Sequence, residues 1–406
     1  MTDNTSSSTS KRRAFLITSG TAGISLTAGC LEAVPGLGSS EADGIPIAGL
    51  QPFTGPFSAW ATAHDDGAEF AVENINENGG VLGEELNYNA IDTEADPSEA
   101  ATAYATQADE GAIAAIGPVS SDVAVNLAPD AEDVEVPVFL HAAGDVGVLN
   151  KDTRYTFRTV LPATPTCGQA LAELNQEHGF DNVHAISADY AWGNAINDSL
   201  EENIPNAELD IVPQAEDNFA QHMPDSTDFL IGTGHPPGAD DMFNDAIEAG
   251  LEPELFTAAI VQPAEASYNA VGDEIVHGYT NGHTPDPTLD TYQNVAEEFA
   301  EEEDEYFGPI CASGYMAINL IAEAIEEAGS TDPVDIANAT RDIEYNSPVI
   351  PHTLQYTEWG ELNNASVGFY GFELESPDHY ADGEFRLYEE YRTDELEATD
   401  PDEWDT

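Results

Sequence analysis

The chain has very few basic residues. Lysine and arginine together number nine against 78 aspartates and glutamates, and the formal net charge of the 406 residues is −69. A field of this sign repels nucleic-acid phosphates and anionic lipid headgroups, so nucleic-acid binding and membrane docking through a basic patch are excluded. Because molar salt shortens the Debye length to about 3 Å and screens this self-repulsion, the composition predicts adaptation to high salt and a haloarchaeal source.

Cysteine is also scarce, and the three residues are Cys30, Cys167 and Cys311. Their spacing is not that of a metal clip, so we expect Cys167 and Cys311 to be buried free thiols. The sequence contains no Gly-x-Ser-x-Gly elbow, no phosphate-binding P-loop and no His-Glu-x-x-His motif. We therefore expect no enzyme activity, no metal site and no cofactor, although scattered histidines leave a hydrolase as an open alternative.

Three of the nine basic residues form one run near the N-terminus, Lys11-Arg12-Arg13. An apolar stretch of mostly small residues, 17–28, follows this run and ends at Gly29-Cys30. A basic run, a short apolar region and small residues before a break are typical of an export signal. The apolar region is too short to span a bilayer comfortably as a permanent helix. The alternative, a frayed N-terminal helix, does not account for the paired arginines.

This N-terminal segment resembles a twin-arginine (Tat) signal, which exports folded proteins. The residues Thr27-Ala28-Gly29-Cys30 resemble a lipobox, with Thr27 standing where leucine is commonest. The resemblance implies cleavage before Cys30 and lipidation of that cysteine. We therefore predict a signal at residues 1–30, a linker at 31–43, and a protein anchored by lipid to the extracellular face of the cell membrane.

Beyond residue 43, short apolar runs alternate with helical periodicity. A composition of 41% hydrophobic and 9% aromatic residues is that of a folded chain, long enough for two domains. Alternating strands and helices predict α/β domains with parallel sheets covered on both faces. The predicted strands are 45–50, 86–92, 112–116, 136–140, 183–187, 208–212, 229–232 and 255–258; the predicted helices are 65–78, 97–110, 121–132, 167–178, 193–203, 239–249, 289–303 and 311–328.

The C-terminal part has a different pattern. Two aromatic stretches, 353–356 and 367–372, favour antiparallel strands. The residues after Asp394 are strongly acidic, and we expect them to be disordered.

Several stretches of the sequence occur in the order and spacing of a known family. They are Gly55–Trp60, Gly67–Asn76, Gly79–Gly83, Asp92–Pro97, Ile116–Ser121, Phe157–Thr159 and Asp189–Gly193. Together they resemble the type I periplasmic binding proteins, and most nearly the branched-chain amino-acid (leucine/isoleucine/valine) receptors of ABC transporters. The resemblance runs from about Ile45 to Phe372.

This resemblance implies two doubly wound parallel-sheet lobes joined by three crossings, with a small-molecule ligand between them. It places lobe one at 44–160 plus 286–346, lobe two at 163–284 plus 348–392, and an acidic tail at 393–406. The implied function is that of a solute-binding lipoprotein that serves the permease and ATPase subunits of an ABC importer. A sensory ligand-binding domain is the alternative, and a hydrolase on the same fold is a weaker one.

Ligands of open α/β sheets bind beyond the carboxyl ends of the strands, and two serines stand there. Ser120 and Ser121 lie where a helix N-terminus offers unpaired N–H groups to a carboxylate, although one serine could simply cap the helix. The resemblance adds the carbonyl of Ala142, the loop residue Gly144 and the second-lobe residue Gly234. It also adds two ring walls, Trp60 and Trp192, for which core packing is the alternative role.

Three positions depart from the family pattern. Gly144 replaces a hydroxyl residue, and Gly234 stands where a tyrosine is typical. Ala259 or Ile260 falls where an acid would bind a ligand ammonium, a role that Glu265 or Asp122 could take instead. The ligand class therefore stays open between an amino acid, an amide and a related carboxylate.

Overall fold

The computed structural model describes residues 44–214, 216–224, 226–234, 238–259, 261–303, 305–374 and 384–404. The predicted signal, linker and lipidation site at Cys30 lie outside these residues. The strands are β1 (Ile45–Gln51), β2 (Leu86–Asp92), β3 (Ala114–Ile116), β4 (Val138–Leu140), β5 (Thr156–Arg158), β6 (Val183–Ala188), β7 (Glu208–Val212), β8 (Phe229–Thr233), β9 (Leu255–Ala258), β10 (Tyr279–His283), β11 (Asn364–Ala365), β12 (Gly368–Glu373), β13 (Arg386–Arg392) and β14 (Leu396–Glu397). The helices are α1 (Ser58–Glu77), α2 (Pro97–Asp109), α3 (Ser121–Val134), α4 (Thr164–His178), α5 (Ala191–Asn203), α6 (Gly238–Glu248), α7 (Ala264–Val271), α8 (Asp290–Glu303), α9 (Pro309–Ala328) and α10 (Pro333–Asp342).

Two sheets organise the chain. The first is entirely parallel, with strand order β2-β1-β3-β4-β5. The second has the order β13-β12-β10-β9-β8-β6-β7, in which β12 and β13 are antiparallel additions to a parallel core. Helices follow β1, β2, β3, β5, β6, β8 and β9, and only short 3-10 turns lie between β4 and β5 and between β7 and β8; parallel strands need such crossover connections. The predicted α/β class with two doubly wound lobes is therefore confirmed.

Local sequence explains where several helices begin. The side chain of Asp96 accepts hydrogen bonds from the backbone N–H groups of Ser98 and Glu99, and Pro97 occupies the first turn of α2. Asp332 caps α10 in the same way, with Pro333 following it. An acceptor at the cap and a proline without an N–H at the next position leave fewer unpaired donors at the helix start.

Two glycines allow α1 and α9 to pack in direct backbone contact. A Cβ on Gly67 would lie 1.9 Å from the carbonyl oxygen of Cys311, and a Cβ on Gly314 would lie 1.8 Å from that of His64. Any side chain at either position would force the helices apart. This contact between the two helices fixes α1, whose first turn carries Trp60, against the core of the first sheet.

The third chain crossing lies later than predicted. The prediction placed it at 346–348, yet a set of residues beyond that point belongs to the hydrophobic cluster of the first sheet: Val349, Ile350, Leu354, Tyr356, Leu362 and Ala365. Val367 and Phe369 join the cluster of the second sheet instead. Because apolar side chains follow the core that buries them, the crossing falls near residue 366. The other predicted lobe boundaries stay predictions.

The prediction that the acidic tail is disordered was wrong for the residues up to 404. Strand β14 pairs antiparallel with β11. Thr393 is buried, and its hydroxyl oxygen accepts from the backbone N–H of Val367 at 3.0 Å. One of the two lysines of the chain, Lys151, contacts Asp400 at 2.7 Å and Asp402 at 2.8 Å. Backbone pairing and a scarce cation therefore hold a segment whose composition alone suggested disorder.

Most predicted elements are present, with shifted ends. Helix α1 begins at Ser58 rather than 65, and the stretch 353–356 forms only isolated bridges. Strands β5, β10, β11, β13 and β14 and helices α7 and α10 were not predicted. In the described part of the chain, no helix is long and apolar enough to cross a membrane.

Candidate functional site

A small cavity of about 50 Å³ lies between the two sheets at the carboxyl ends of their parallel strands. Residues after β1, β3 and β4 form its wall on lobe one, and residues after β6, at the end of β8 and after β9 form its wall on lobe two. This is the position where doubly wound folds bind ligands. Its lining consists of Phe57, Trp60, Val119, Ser120, Ser121, Ala142, Leu161, Tyr190, Trp192, Gly232, Thr233, Gly234, Ala259, Val261 and Gln262. Of the seven ligand-binding residues predicted from the sequence, six line this cavity: Trp60, Ser120, Ser121, Ala142, Trp192 and Gly234.

The N-terminus of α3 supplies hydrogen-bond donors to this cavity. Ser120 is the N-cap residue, is 6% exposed and makes no side-chain capping bond. The oxygen of Ser121 accepts the backbone N–H of Asp145 at 3.2 Å, so the proton of its hydroxyl remains available as a donor. The capping alternative is therefore not realised by the side chain of Ser120. Together with the open N–H groups of the first turn, the two hydroxyls suit a negative or carbonyl oxygen.

Gly144 is the candidate that does not line the cavity. A Cβ at this position would lie 2.2 Å from Cζ3 of Trp192 and 2.8 Å from Cδ2 of Leu161. The absence of a side chain at Gly144 thus makes room for the Trp192 ring, which forms the cavity wall. Its contribution to the site is indirect.

The two tryptophans stand on opposite lobes. Trp192 is in the first turn of α5, and Trp60 is in the first turn of α1; both rings are buried. The indole Nε1–H of Trp60 donates to the carbonyl oxygen of Val261 at 2.9 Å. Since Val261 follows β9, this bond joins lobe one to lobe two beside the cavity. Phe57 packs edge-on against Trp60, with ring centroids 6.1 Å apart.

A buried ion pair holds the loop that carries Ala142. Arg158 at the end of β5 donates from Nε to Glu361 at 2.7 Å, and its guanidinium also donates to the carbonyl oxygens of Ala143 and Asp145. Both charged side chains are almost completely buried. Breaking such a pair from one side leaves an uncompensated charge and costs about 3–5 kcal/mol. Sequence reasoning missed this role, although an arginine ending a buried strand in so acidic a chain was a signal.

Two histidines lie behind the wall on lobe one. His141 is only 1% exposed and stacks on His64, with ring centroids 3.9 Å apart. Nδ1 of His64 is 2.8 Å from Nε2 of Gln51. Burial lowers the pKa of His64 to about 3, and burial together with the neighbouring His64 lowers the pKa of His141 well below its usual range. Both imidazoles are therefore neutral packing groups.

The acids considered as ammonium partners do not line the cavity. Asp122 is exposed. Glu265 faces a second interlobe cavity of about 370 Å³, together with Asp66 and Glu305. There, burial and then the charges of Glu305, Asp65 and other nearby acids raise the pKa of Asp66 to about 7. The two cavities thus differ sharply: the second has several carboxyl groups, and the first has none among the residues that the structure describes.

Other candidate chemistry is limited in the described ranges. No group of three or more histidine, cysteine, aspartate or glutamate side chains there is arranged to hold a metal ion. The prediction of two buried free thiols at Cys167 and Cys311 is confirmed. Burial raises the pKa of both thiols, so neither is poised as a thiolate nucleophile.

The two lobes, their crossings and the interlobe cavity define the class of two-lobed solute-binding proteins. The chain belongs to the periplasmic binding protein family, whose family model matches residues 44–375. It is 23% identical over 346 residues to the leucine-, isoleucine-, valine-, threonine- and alanine-binding protein of Pseudomonas aeruginosa, covering 82% of this chain and 91% of that protein.

Two further proteins are similar to this chain. The chain is 31% identical over 179 residues to BasB, a chemotactic signal transduction system substrate-binding protein of Halobacterium salinarum, covering 42% of this chain and 43% of that protein. The crystal structure of the leucine-binding protein LivK of Thermotoga maritima matches with a TM-score of 0.71 and 23% identity, covering 86% of this chain and 99% of that one. The likeness to LivK concerns the fold alone.

Proposed function

We propose that this protein is the solute-binding component of an ABC importer and captures a small molecule between its lobes. The observation that carries this proposal is the convergence of six sequence-predicted residues on one interlobe cavity. The wall on lobe one presents donors at a helix N-terminus, and tryptophan rings flank the cavity from both lobes. A ligand that contacts both lobes favours the closed arrangement, which a permease can distinguish from the open one. The protein binds its solute without catalysis.

The proposal includes export and anchoring. The paired arginines at 12 and 13 and the small residues before Cys30 support a twin-arginine signal followed by lipidation, on the extracellular side of the membrane. Cys30→Ser should release the protein into the medium or leave uncleaved precursor. Cys167→Ser is the matched control. Unchanged membrane association of the Cys30→Ser protein would contradict the anchor.

A haloarchaeal origin is part of the same proposal. It is supported by the net charge of −69, and the similarity to BasB over part of the chain agrees with it. The name of BasB also favours one alternative function, in which this protein presents its solute to a chemotaxis receptor rather than to a permease. Uptake of labelled solute and chemotaxis toward it, measured in cells with and without the gene, distinguish the two.

The decisive experiment measures binding and uptake together. Purified protein in molar KCl is screened by thermal shift against small solutes, and the hits are measured by calorimetry and by uptake into cells. Trp192→Ala should weaken binding and uptake in parallel. Trp404→Ala, a tryptophan outside the cavity lining, should change neither. Failure of every solute to bind would contradict the proposed function.

A further inference from the structure

The cleft cavity has an unusual lining, because none of its fifteen described residues carries an ionisable acidic or basic group other than the phenol of Tyr190. Burial, reinforced by Asp122, raises the pKa of that phenol, so Tyr190 is neutral. The other polar side-chain groups of the cavity lining are hydroxyls, the amide of Gln262 and the indole N–H groups of Trp60 and Trp192. A buried ammonium group would find no counter-charge here, and an unpaired buried charge is strongly unfavourable.

One end of the cavity nevertheless offers hydrogen-bond donors. Ser120 and Ser121 line it at the N-terminus of α3, where the first-turn N–H groups have no partner within the helix; Asp122 in the same turn does not line the cavity. A second observation points to a ligand there. Ser120 lines the cavity and is only 6% exposed, and its hydroxyl makes no capping hydrogen bond to α3. A buried hydroxyl without such a partner can donate a hydrogen bond to an oxygen atom of a ligand.

The available volume limits the size of the ligand. A cavity needs about 10–15 Å³ to hold one water molecule, so about 50 Å³ accommodates only a few atoms of that size. Trp60, Trp192 and Phe57 close the space with rings, and Gly232 and Gly234 add no side chains on lobe two. The lining therefore fits a flat molecule with a short apolar part.

Resting on the proposed function, we infer that the cleft binds a small carboxylate, or the corresponding carboxamide, that carries no ammonium group. The planar oxygen-bearing end lies at the N-terminus of α3, and the short carbon chain lies between the tryptophan rings. Zwitterionic amino acids are rejected because their ammonium loses its hydration without gaining a carboxylate partner.

Four solutes of nearly equal size test this inference by calorimetry in molar KCl: propionate, propionamide, L-lactate and L-alanine. They share the three-carbon skeleton and differ in the charge of the end group or in the substituent on the α-carbon. We expect at least one of the first three to bind at least tenfold more tightly than alanine. A panel of longer amino acids, including leucine, is measured in parallel.

The outcomes separate this inference from the function itself. Binding of alanine or leucine as tight as that of every ammonium-free solute would overturn the inference and leave a solute-binding protein. Binding of none of the four but of some other solute would also overturn the inference. Binding of no solute at all would overturn both.

A charge placed in the cavity distinguishes the carboxylate from the carboxamide. Ala259 lines the wall of the cavity on lobe two. Ala259→Asp should weaken propionate or lactate binding at least tenfold through like-charge repulsion and should affect propionamide less. Glu265→Gln, outside this cavity, should leave all affinities within about twofold. Circular dichroism shows whether the variants remain folded, and equal weakening of charged and neutral solutes by Ala259→Asp would contradict an anionic ligand.

Discussion

Trp60 and Val261 join the two lobes directly: the indole Nε1–H of Trp60 donates to the carbonyl oxygen of Val261 at 2.9 Å. Val261 has a φ of 69°, in the left-handed region that a β-branched residue rarely adopts. Such a conformation costs of order 1–3 kcal/mol and persists only where surrounding contacts maintain it. The interlobe contact therefore includes one favourable hydrogen bond and one strained residue, a combination that suits a cleft which must open and close.

Removing this bond should shift the ligand-free protein toward an open form. Trp60→Phe keeps an aromatic ring but removes the donor, with an expected loss of about 1 kcal/mol from the closed state. Small-angle X-ray scattering in molar KCl should show a larger radius of gyration than for the unaltered protein. Trp404→Phe serves as the control, and an unchanged radius for Trp60→Phe would show that the bond does not influence closure.

The cavity wall depends on the empty space at Gly144. Gly144→Ala places a Cβ within 2.2 Å of the Trp192 ring, so the ring must move into or out of the cavity. We expect at least a tenfold loss of ligand affinity by calorimetry, comparable to Trp192→Ala, because central aromatic contacts contribute about 2 kcal/mol or more. Gly238→Ala meets nothing within 4 Å and should have no effect. Wild-type affinity in Gly144→Ala would place the ligand away from Trp192.

The backbone contact between α1 and α9 should be sensitive to a single methyl group. Gly314→Ala places a Cβ 1.8 Å from the carbonyl oxygen of His64, and overpacking of this kind costs about 1–3 kcal/mol or more. Chemical denaturation in molar KCl should show a lower midpoint than that of Gly238→Ala. An equal midpoint for the two variants would mean that α1 and α9 can move apart without loss of stability.

The second interlobe cavity should make stability depend on pH. The pKa of Asp66 is about 7 in the folded protein and near 4 when unfolded, so between these values the folded state holds a proton that the unfolded state releases. Stability from this group is therefore fully present at low pH and is lost as pH rises through about 7. Asp66→Asn should be more stable than the unaltered protein at pH 8, and this advantage should shrink as pH falls and disappear only below about pH 4, where Asp66 is protonated in both states.

Comparing Asp66→Asn with the unaltered protein separates the pH dependence due to Asp66 from that due to the buried histidines. The pKa of His64, lowered to about 3, acts in the opposite sense, because stability is lost as pH falls below about 6.5. That contribution is common to both proteins and cancels in the difference. Glu73→Gln, an exposed acid on the same helix, is the control. A difference between Asp66→Asn and the unaltered protein that does not change with pH would contradict the raised pKa.

Salt should stabilise this protein strongly. With 78 acidic and nine basic residues, repulsion among carboxylates opposes folding until counter-ions screen it. The thermal midpoint should rise steeply from dilute buffer to molar KCl. Sucrose at matched osmolality controls for exclusion effects that do not involve screening. An equal rise in sucrose would show that charge screening is not the cause.

The local sequence signals were sufficient for the main architecture. The run from Leu86 to Asp92 forms the predicted strand with the predicted ends, and Ser121 begins α3 as predicted. Apolar periodicity and turn residues are local properties, so they can be detected without knowledge of the fold. The placement of Ser120 and Ser121 at a strand end beside the cavity followed from the same signals.

The sequence by itself determined the acidic character, the alternation of strands and helices, and the chemical types available to the site. Only the tertiary structure decided which distant groups meet: Arg158 with Glu361, His64 with His141, and Gly144 with the ring of Trp192. It also decided that Glu265 faces the second cavity and that the tail after Asp394 is paired with β11. Such contacts join residues far apart in sequence. They depend on how two sheets and their connecting segments pack, and local propensity carries no information about that packing.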